Sequence, residues 1–191
     1  MNLRKPDGAP FDPLDAAQRE RLAARARADA AALVAFLRRE RAGFEAAELG
    51  ESAARIGVRE ARRVVGCARI EAAHVLRAVR TRDEVARACW PIELWHGHER
   101  AQLEHVDGAC SVPLGALVAR DHPRLAMAGR CLSASHEALG SLRVIGTALA
   151  TGEAAGAAAA LAANARGDLG CVEPARVREA IAARADLALL P

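Results

Sequence analysis

Aromatic side chains are almost missing from this chain, which has no Tyr, three Phe and two Trp in 191 residues. A core built on aromatic clusters is therefore excluded. The hydrophobic 52% is mostly Ala, Leu and Val, a composition that favours helix and packs thinly per residue. Five cysteines, at 67, 89, 110, 131 and 171, are odd in number and lack any C-x-x-C spacing. That argues against a disulfide framework and for a reducing compartment. No apolar run follows the first basic residues, so no signal peptide is expected. The Ala-rich run 148–163 reads as too short, and too interrupted by Glu153 and glycine, to span a bilayer. No G-x-S-x-G elbow occurs, which removes the serine hydrolase reading. Charge of one sign is lacking too: 27 basic and 24 acidic residues are interspersed for a net +3. A mixed solvated surface follows, with no nucleic-acid footprint. The expectation is a cytoplasmic protein that engages neither nucleic acid nor membrane. Its length suits one domain, burying roughly two-thirds of its unfolded surface.

The chain reads as alternating short elements without internal repeats. Asp12-Pro13 suggests an N-cap and first helical residue for a helix running to about Glu40. Its apolar stripe is Leu14, Leu22, Ala26, Leu33 and Leu37, and Gly43 stops it. Residues 54–66 suggest a strand that is polar on one face. Residues 71–80 and 83–89 read as short helices. Segments 89–98 and 110–119 are strand candidates, separated from the next by a turn at 120–123. A last helix starts at Pro174 and runs to about Leu187. The fold class expected is α+β, with helices packed on a small mixed, mostly antiparallel sheet.

The stretch 125–163 organises the rest. Residues 125–128 are a buried-strand candidate, and Gly129 permits a sharp exit. From Gly146 a helix of small residues follows, with Gly152, Ala155, Gly156 and Ala159 recurring at helical spacing. Such a face lets another backbone, or a flat ligand, approach closely.

Several residues carry candidate chemistry. In Gly57-Val58-Arg59-Glu60-Ala61-Arg62-Arg63, a strand would set Arg59 and Arg63 on one face. They are suited to hold a phosphate or carboxylate, or to form a surface ladder with Glu60. In Ser133–Glu137, His136 and Glu137 fit either a proton shuttle or a loop-fixing pair. Adjacent residues rarely face each other, which disfavours a direct dyad. Cys131 has a redox reading and a small-hydrophobe reading, the second being the commoner for a lone cysteine after a buried strand. Gly146 and Thr147 stand where the free N–H groups of a helix start would meet negative charge, or where helices pack tightly. His96, His98 and His105 with Cys89 and Cys110 invite a zinc reading, but their spacing is not that of a ligand set, and no metal is expected.

GRCLSASHEALGSLRVIGTALATGEAAG, residues 129–156, resembles the C-terminal FAD-contacting segment of the FAD-dependent oxidoreductase family, flavoproteins similar to fumarate reductases. The GVREARR block at 57–63 and Trp90-Pro91-Ile92-Glu93-Leu94-Trp95-His96 resemble further segments of that family. The resemblance implies FAD as cofactor and hydride exchange with a small organic substrate. It implies Gly129, Arg130, Arg143, Gly146, Thr147 and Ala148 as FAD contacts. His96, His136, Arg59 and Arg63 are the candidates for substrate or flavin contact, with His96 on the substrate side. The family also begins with a strand, a G-x-G-x-x-G turn and a helix, and no G-x-G-x-x-G occurs in these residues. The resemblance thus implies a single partial domain over 1–191, with a substrate-side region at 13–124 and an FAD-contacting segment at 125–191. It implies a partner chain carrying the G-x-G-x-x-G half, and weak or absent FAD binding without it. The alternative is a non-catalytic fragment or subunit.

Overall fold

In the computed structural model, which describes residues 11–96, 100–164 and 166–184, the first helix is capped by Asp15 rather than Asp12. Helix α1, Ala16–Glu40, begins where the Asp15 carboxylate accepts from the Gln18 N–H at 3.1 Å and from its side-chain amide at 2.7 Å. These bonds from Gln18, backbone first, hold the Asp15 carboxyl below its ordinary value. Asp12 instead closes a local turn, its carboxylate taking the Leu14 N–H. Gln18 closes the Asp15 cap with both its backbone and its side-chain N–H, while its amide oxygen accepts the Asp12 N–H at 3.1 Å. The expected apolar stripe is corrected as well: Leu22 is the one buried residue of α1, and Leu14 and Leu33 are about half exposed. Gly43, at φ +87°, turns the chain beyond the helix.

The chain divides into two units, residues 1–61 with 97–99, and residues 62–96 with 100–191. In the first, α1 is followed by irregular chain. The strand expected over 54–66 does not form, because three Arg and a Glu within five residues leave no apolar face to bury.

The second unit holds α2 (Ala72–Leu76), β1 (Glu84–Ala88), β2 (Ile92–His96), β3 (Arg100–Glu104), β4 (Cys110–Pro113), α3 (His136–Leu142), α4 (Ile145–Ala163) and α5 (Pro174–Ala182). Strands β1 and β4 form one antiparallel pair, β2 and β3 another. The architecture is α+β. Segment 83–89 is a strand, not the expected helix. Val85, Ala86 and Ala88 turn inward and Arg87 outward, and the ladder to the fully buried β4 overrides the helical preference of alanine. Strand β3 and helix α3 answer to no expectation. Segment 110–119 is only partly a strand, because a single 3₁₀ turn, Leu114–Ala116, follows Pro113. The last helix ends at Ala182, with Pro174 in its first turn as expected.

Three irregular segments are knitted through the centre of this unit. Isolated bridges join Gly66 to Ala119, Ile70 to Ala134 and Val118 to Ala126. Backbone bonds from Val64 to Cys131, Ala68 to Gly115 and Ser133 to Ala116 fill the spaces between them. The weave is so tight at Gly66 that a Cβ there would stand 2.7 Å from Ser133 Cβ and 2.8 Å from the Gly115 carbonyl oxygen. The strand expected at 125–128 is therefore an extended segment with one bridge, and the chain leaves it through a 3₁₀ turn, Gly129–Cys131. Buried Ile70, Leu117, Leu132, Leu139 and Leu142 form the core around this weave, with Ala154, Ala158 and Ala162 of α4 on it.

Candidate functional site

The Gly129–Cys131 turn lies against the start of α4. Gly129 has φ +66°, a conformation that side-chain-bearing residues adopt only under strain. Space is not the constraint, since a Cβ there would meet Ala148 Cβ at an ordinary 3.5 Å. The Gly129 N–H donates to Thr151 Oγ1 at 3.0 Å, and that hydroxyl donates back to the Thr147 carbonyl at 2.8 Å. Thr147 and Thr151 are both buried. One threonine thus ties the glycine turn to the first two turns of α4.

That end of α4 carries no side-chain cap. Val144 precedes the helix, and the first intrahelical bond is Ala148 N–H to the Val144 carbonyl at 2.9 Å. The N–H groups of Ile145, Gly146 and Thr147 accordingly lack acceptors within the helix, and the helix dipole adds positive potential there. A Cβ on Gly146 would meet nothing within 4 Å. The structure therefore brings Gly129, Thr147 and Ala148 together, with Gly146 one residue away on the same helix end. Arg130 is exposed on the same turn.

Arg143 takes a different place. Its guanidinium donates to the Glu93 carbonyl of β2 at 2.8 Å, beside Ser141, whose hydroxyl donates to the Trp90 carbonyl. Gly140 lies so close to β2 that an added Cβ would be 3.0 Å from the Glu93 oxygen. The end of α3 is therefore held to the segment 90–93, which leads into β2, through Gly140, Ser141 and the C-cap Arg143.

His136 is the first residue of α3 and is exposed. Ser135 caps this helix by accepting the Ala138 N–H at 3.2 Å. The Glu137 carboxyl sits below its ordinary value, through its own backbone N–H first and then the Ser135 hydroxyl, with smaller contributions from the charges of His136 and Arg63. The Ser133–Glu137 segment thus starts a helix. Cys131 donates from Sγ to the Ala128 carbonyl at 3.3 Å. His96 ends β2, opposite Arg100, and its side chain lies outside the described part of the structure, as does His98. Arg63 belongs to the second unit and Arg59 to the first, where it is exposed. Among the described residues, no group of three His, Cys, Asp or Glu could hold a metal ion.

Two open clefts involve none of these residues. One of about 690 Å³ lies along α1, lined by Val34, Arg38 and Leu49 among others; one of about 490 Å³ is lined by residues 122–125. Helix α4 is, by length and composition, apolar enough to cross a membrane. Starting at Ile145, it is longer than the run 148–163 that the sequence suggested. Its inner face is nevertheless part of the core, while Ile145 and Leu149 on its outer face are 80% and 70% exposed.

Thr151 escaped the sequence reading. Its signal was there: Thr147 and Thr151 are four residues apart, the only hydroxyls in a helix otherwise made of Ala, Gly, Leu, Ile and one Glu, and so share one face.

A family model for FAD dependent oxidoreductase matches residues 2–181. No curated protein and no solved structure matches the chain. The match spans nearly all of the sequence and includes both the glycine turn and the helix end it is tied to. The chain belongs to the FAD-dependent oxidoreductase family.

Proposed function

We propose that this chain supplies the C-terminal, flavin-facing side of an FAD-dependent oxidoreductase, which exchanges a hydride with a small organic substrate. The observation that carries the reading is the Gly129 turn held by Thr151 against the uncapped start of α4. This end fits one side of FAD. The backbone of Gly129 and the open edge at Gly146 admit a close approach, and three N–H groups without acceptors in the helix, together with Arg130, favour negative charge. When bound, FAD supplies the electron-pair donor and acceptor, and the protein orients it. Gly129, Gly146, Thr147 and Ala148 would line the cofactor, and Arg130 would balance its charge. Arg143 would act by holding β2, and His96 with it, in place. His96, Arg63 and His136, all of the second unit, stand as the residues for substrate or flavin contact.

The dinucleotide half of the cofactor has no counterpart here. No G-x-G-x-x-G occurs in the sequence, and both sheets among the described residues are antiparallel, whereas that motif works at the end of a parallel strand. The reading therefore includes a second polypeptide segment that carries the phosphate turn. The exposed outer face of α4 is suited to lie against it.

Titration of the purified chain into FAD, followed by flavin fluorescence and gel filtration, tests this. The expected result is little or no retained flavin for the chain alone. A yellow complex is expected once a G-x-G-x-x-G-bearing half is co-expressed. Tight flavin retention by the chain alone would remove the need for the second segment. Failure of every such half to produce a flavin complex would leave the non-catalytic reading.

A further inference from the structure

A second place in the molecule collects charge. Glu84, at the start of β1, is 7% exposed, yet three guanidinium groups converge on it. Arg80 donates to both of its carboxylate oxygens at 2.8 Å, and Arg87 donates to one of the same oxygens at 2.8 Å. Arg178, from α5, donates to the Glu84 backbone carbonyl at 2.6 Å and to that of Arg82 at 3.1 Å. The Ser111 hydroxyl, on β4, completes the carboxylate's partners. One buried negative charge thus stands among three positive ones, and among the described residues no other carboxylate pairs with them.

The arrangement is pre-organised rather than accidental in its geometry. A buried carboxylate with four donors fixes the planes of Arg80 and Arg87, and it uses only one nitrogen of Arg87. The terminal nitrogens of Arg87 make no bond to Glu84, and its side chain is 62% exposed. Arg178 is exposed and uses only one terminal nitrogen. Arg87 and Arg178, each using a single nitrogen, keep further N–H donors for carboxylates, whereas Arg80 uses two of its nitrogens on Glu84 and adds mainly its charge.

We infer that Arg80, Arg87 and Arg178, set around Glu84, form a docking surface for an acidic segment of a partner protein. Charge complementarity argues for an anionic occupant. The breadth of the patch, which spans the α2–β1 loop, β1 and α5, argues for several carboxylates on one chain. Its exposure argues in the same direction, because a small oxyanion would remain largely hydrated there.

The test uses the full chain and a fluorescein-labelled oligoglutamate peptide, with anisotropy as the readout. Binding is expected at about 20 mM salt and should weaken by about tenfold or more at about 300 mM, since exposed charge pairs are screened. The double variant Arg87→Gln/Arg178→Gln should lose about tenfold in affinity, while Arg21→Gln/Arg27→Gln in α1, with the same change in net charge, should lose nothing. Should the double variant fail to fold, Arg178→Lys and Arg87→Lys carry the test, each keeping the charge without the fork. A loss of severalfold in either supports the surface. Equal binding by wild type and these variants overturns it. Inorganic phosphate that binds at these arginines, with peptide affinity indifferent to their substitution, also overturns it in favour of a small-anion site.

Discussion

Replacing Thr151 by Val tests whether the glycine turn depends on one hydroxyl. The two side chains have the same shape and similar helix propensity, so the exchange removes the Oγ1 and little else. In the folded protein that oxygen accepts the buried Gly129 N–H at 3.0 Å and donates to the Thr147 carbonyl at 2.8 Å. With valine, the amide is left buried and unpaired, which costs about 1–3 kcal/mol. The lost bond to the carbonyl adds little, because that oxygen keeps its own helical partner. Thr151→Ser keeps the hydroxyl and gives up one methyl, worth about 1 kcal/mol in a fully buried position. Urea unfolding at neutral pH should therefore rank wild type above Ser and Ser above Val, with Val lower than wild type by about 2 kcal/mol. For a chain of this length that corresponds to a fall in Tm of roughly 4–8 °C. If Val were as stable as Ser, or more so, the hydroxyl would be shown not to hold the turn. The reasoning about how Gly129 is positioned would then fail with it.

Gly66→Ala should destabilise by about 3 kcal/mol or more in the same assay, because two of the three atoms its Cβ would strike are backbone oxygens, at 2.8 and 2.9 Å; a loss below 1 kcal/mol would mean that the central weave is looser than described. Gly152→Ala should do the opposite and stabilise by about 0.5–1 kcal/mol, since its Cβ would meet open space in the middle of α4. Burial pushes the Glu84 carboxyl up, but the hydrogen bonds from Ser111, Arg87 and Arg80 together outweigh it, so its pKa is lowered in the folded state. Its contribution is therefore present above the ordinary Glu value and lost as pH falls through the folded value. Glu84→Gln should cost about 2–3 kcal/mol at pH 7, near the low end for a buried carboxylate because both arginines are about half exposed. The gap to wild type should close in urea titrations below about pH 4, and a gap constant with pH would refute the assignment.

The parts of this fold written in local pattern were legible in the sequence. Helix α4 and the glycine that precedes it follow from small residues at helical spacing, and Pro174 marks the start of α5. What the sequence hid depends on partners distant along the chain. Segment 83–89 has alanines enough for a helix, and only pairing with β4 makes it a strand. Residues 125–128 are apolar as a strand should be, yet their neighbours are irregular segments, so a single bridge forms. Helix α3 was locally readable: Ser135 is a good N-cap before Glu137, and Ala138, Leu139 and Leu142 fall on one side. The hydroxyls, imidazole and carboxylate of Ser133–Glu137 stand where the chain begins α3. At the candidate site, the sequence placed Gly129, Gly146, Thr147 and Ala148 on adjoining segments, but the bond that joins those segments runs through Thr151.

Arg143 shows how far a matching motif constrains a role. Its position in the family segment implies a cofactor contact, whereas its guanidinium here donates to the Glu93 carbonyl, next to two further contacts of α3 with the segment 90–93. Strand β2 ends at His96. An arginine that fixes this strand can serve a flavin site without touching it, because it fixes the direction in which β2 delivers its last residue. The two arms of the site then have different anchors. Thr151 holds the glycine turn to α4, and α3 holds β2. Helices α3 and α4 are consecutive, joined only through Arg143 and Val144, so Arg143, the last contact to β2, stands eight positions before Thr151. Under the proposed function, a small change in the direction of that link would move the glycine turn and β2 relative to each other, so the Arg143-Val144 link would set the geometry between them.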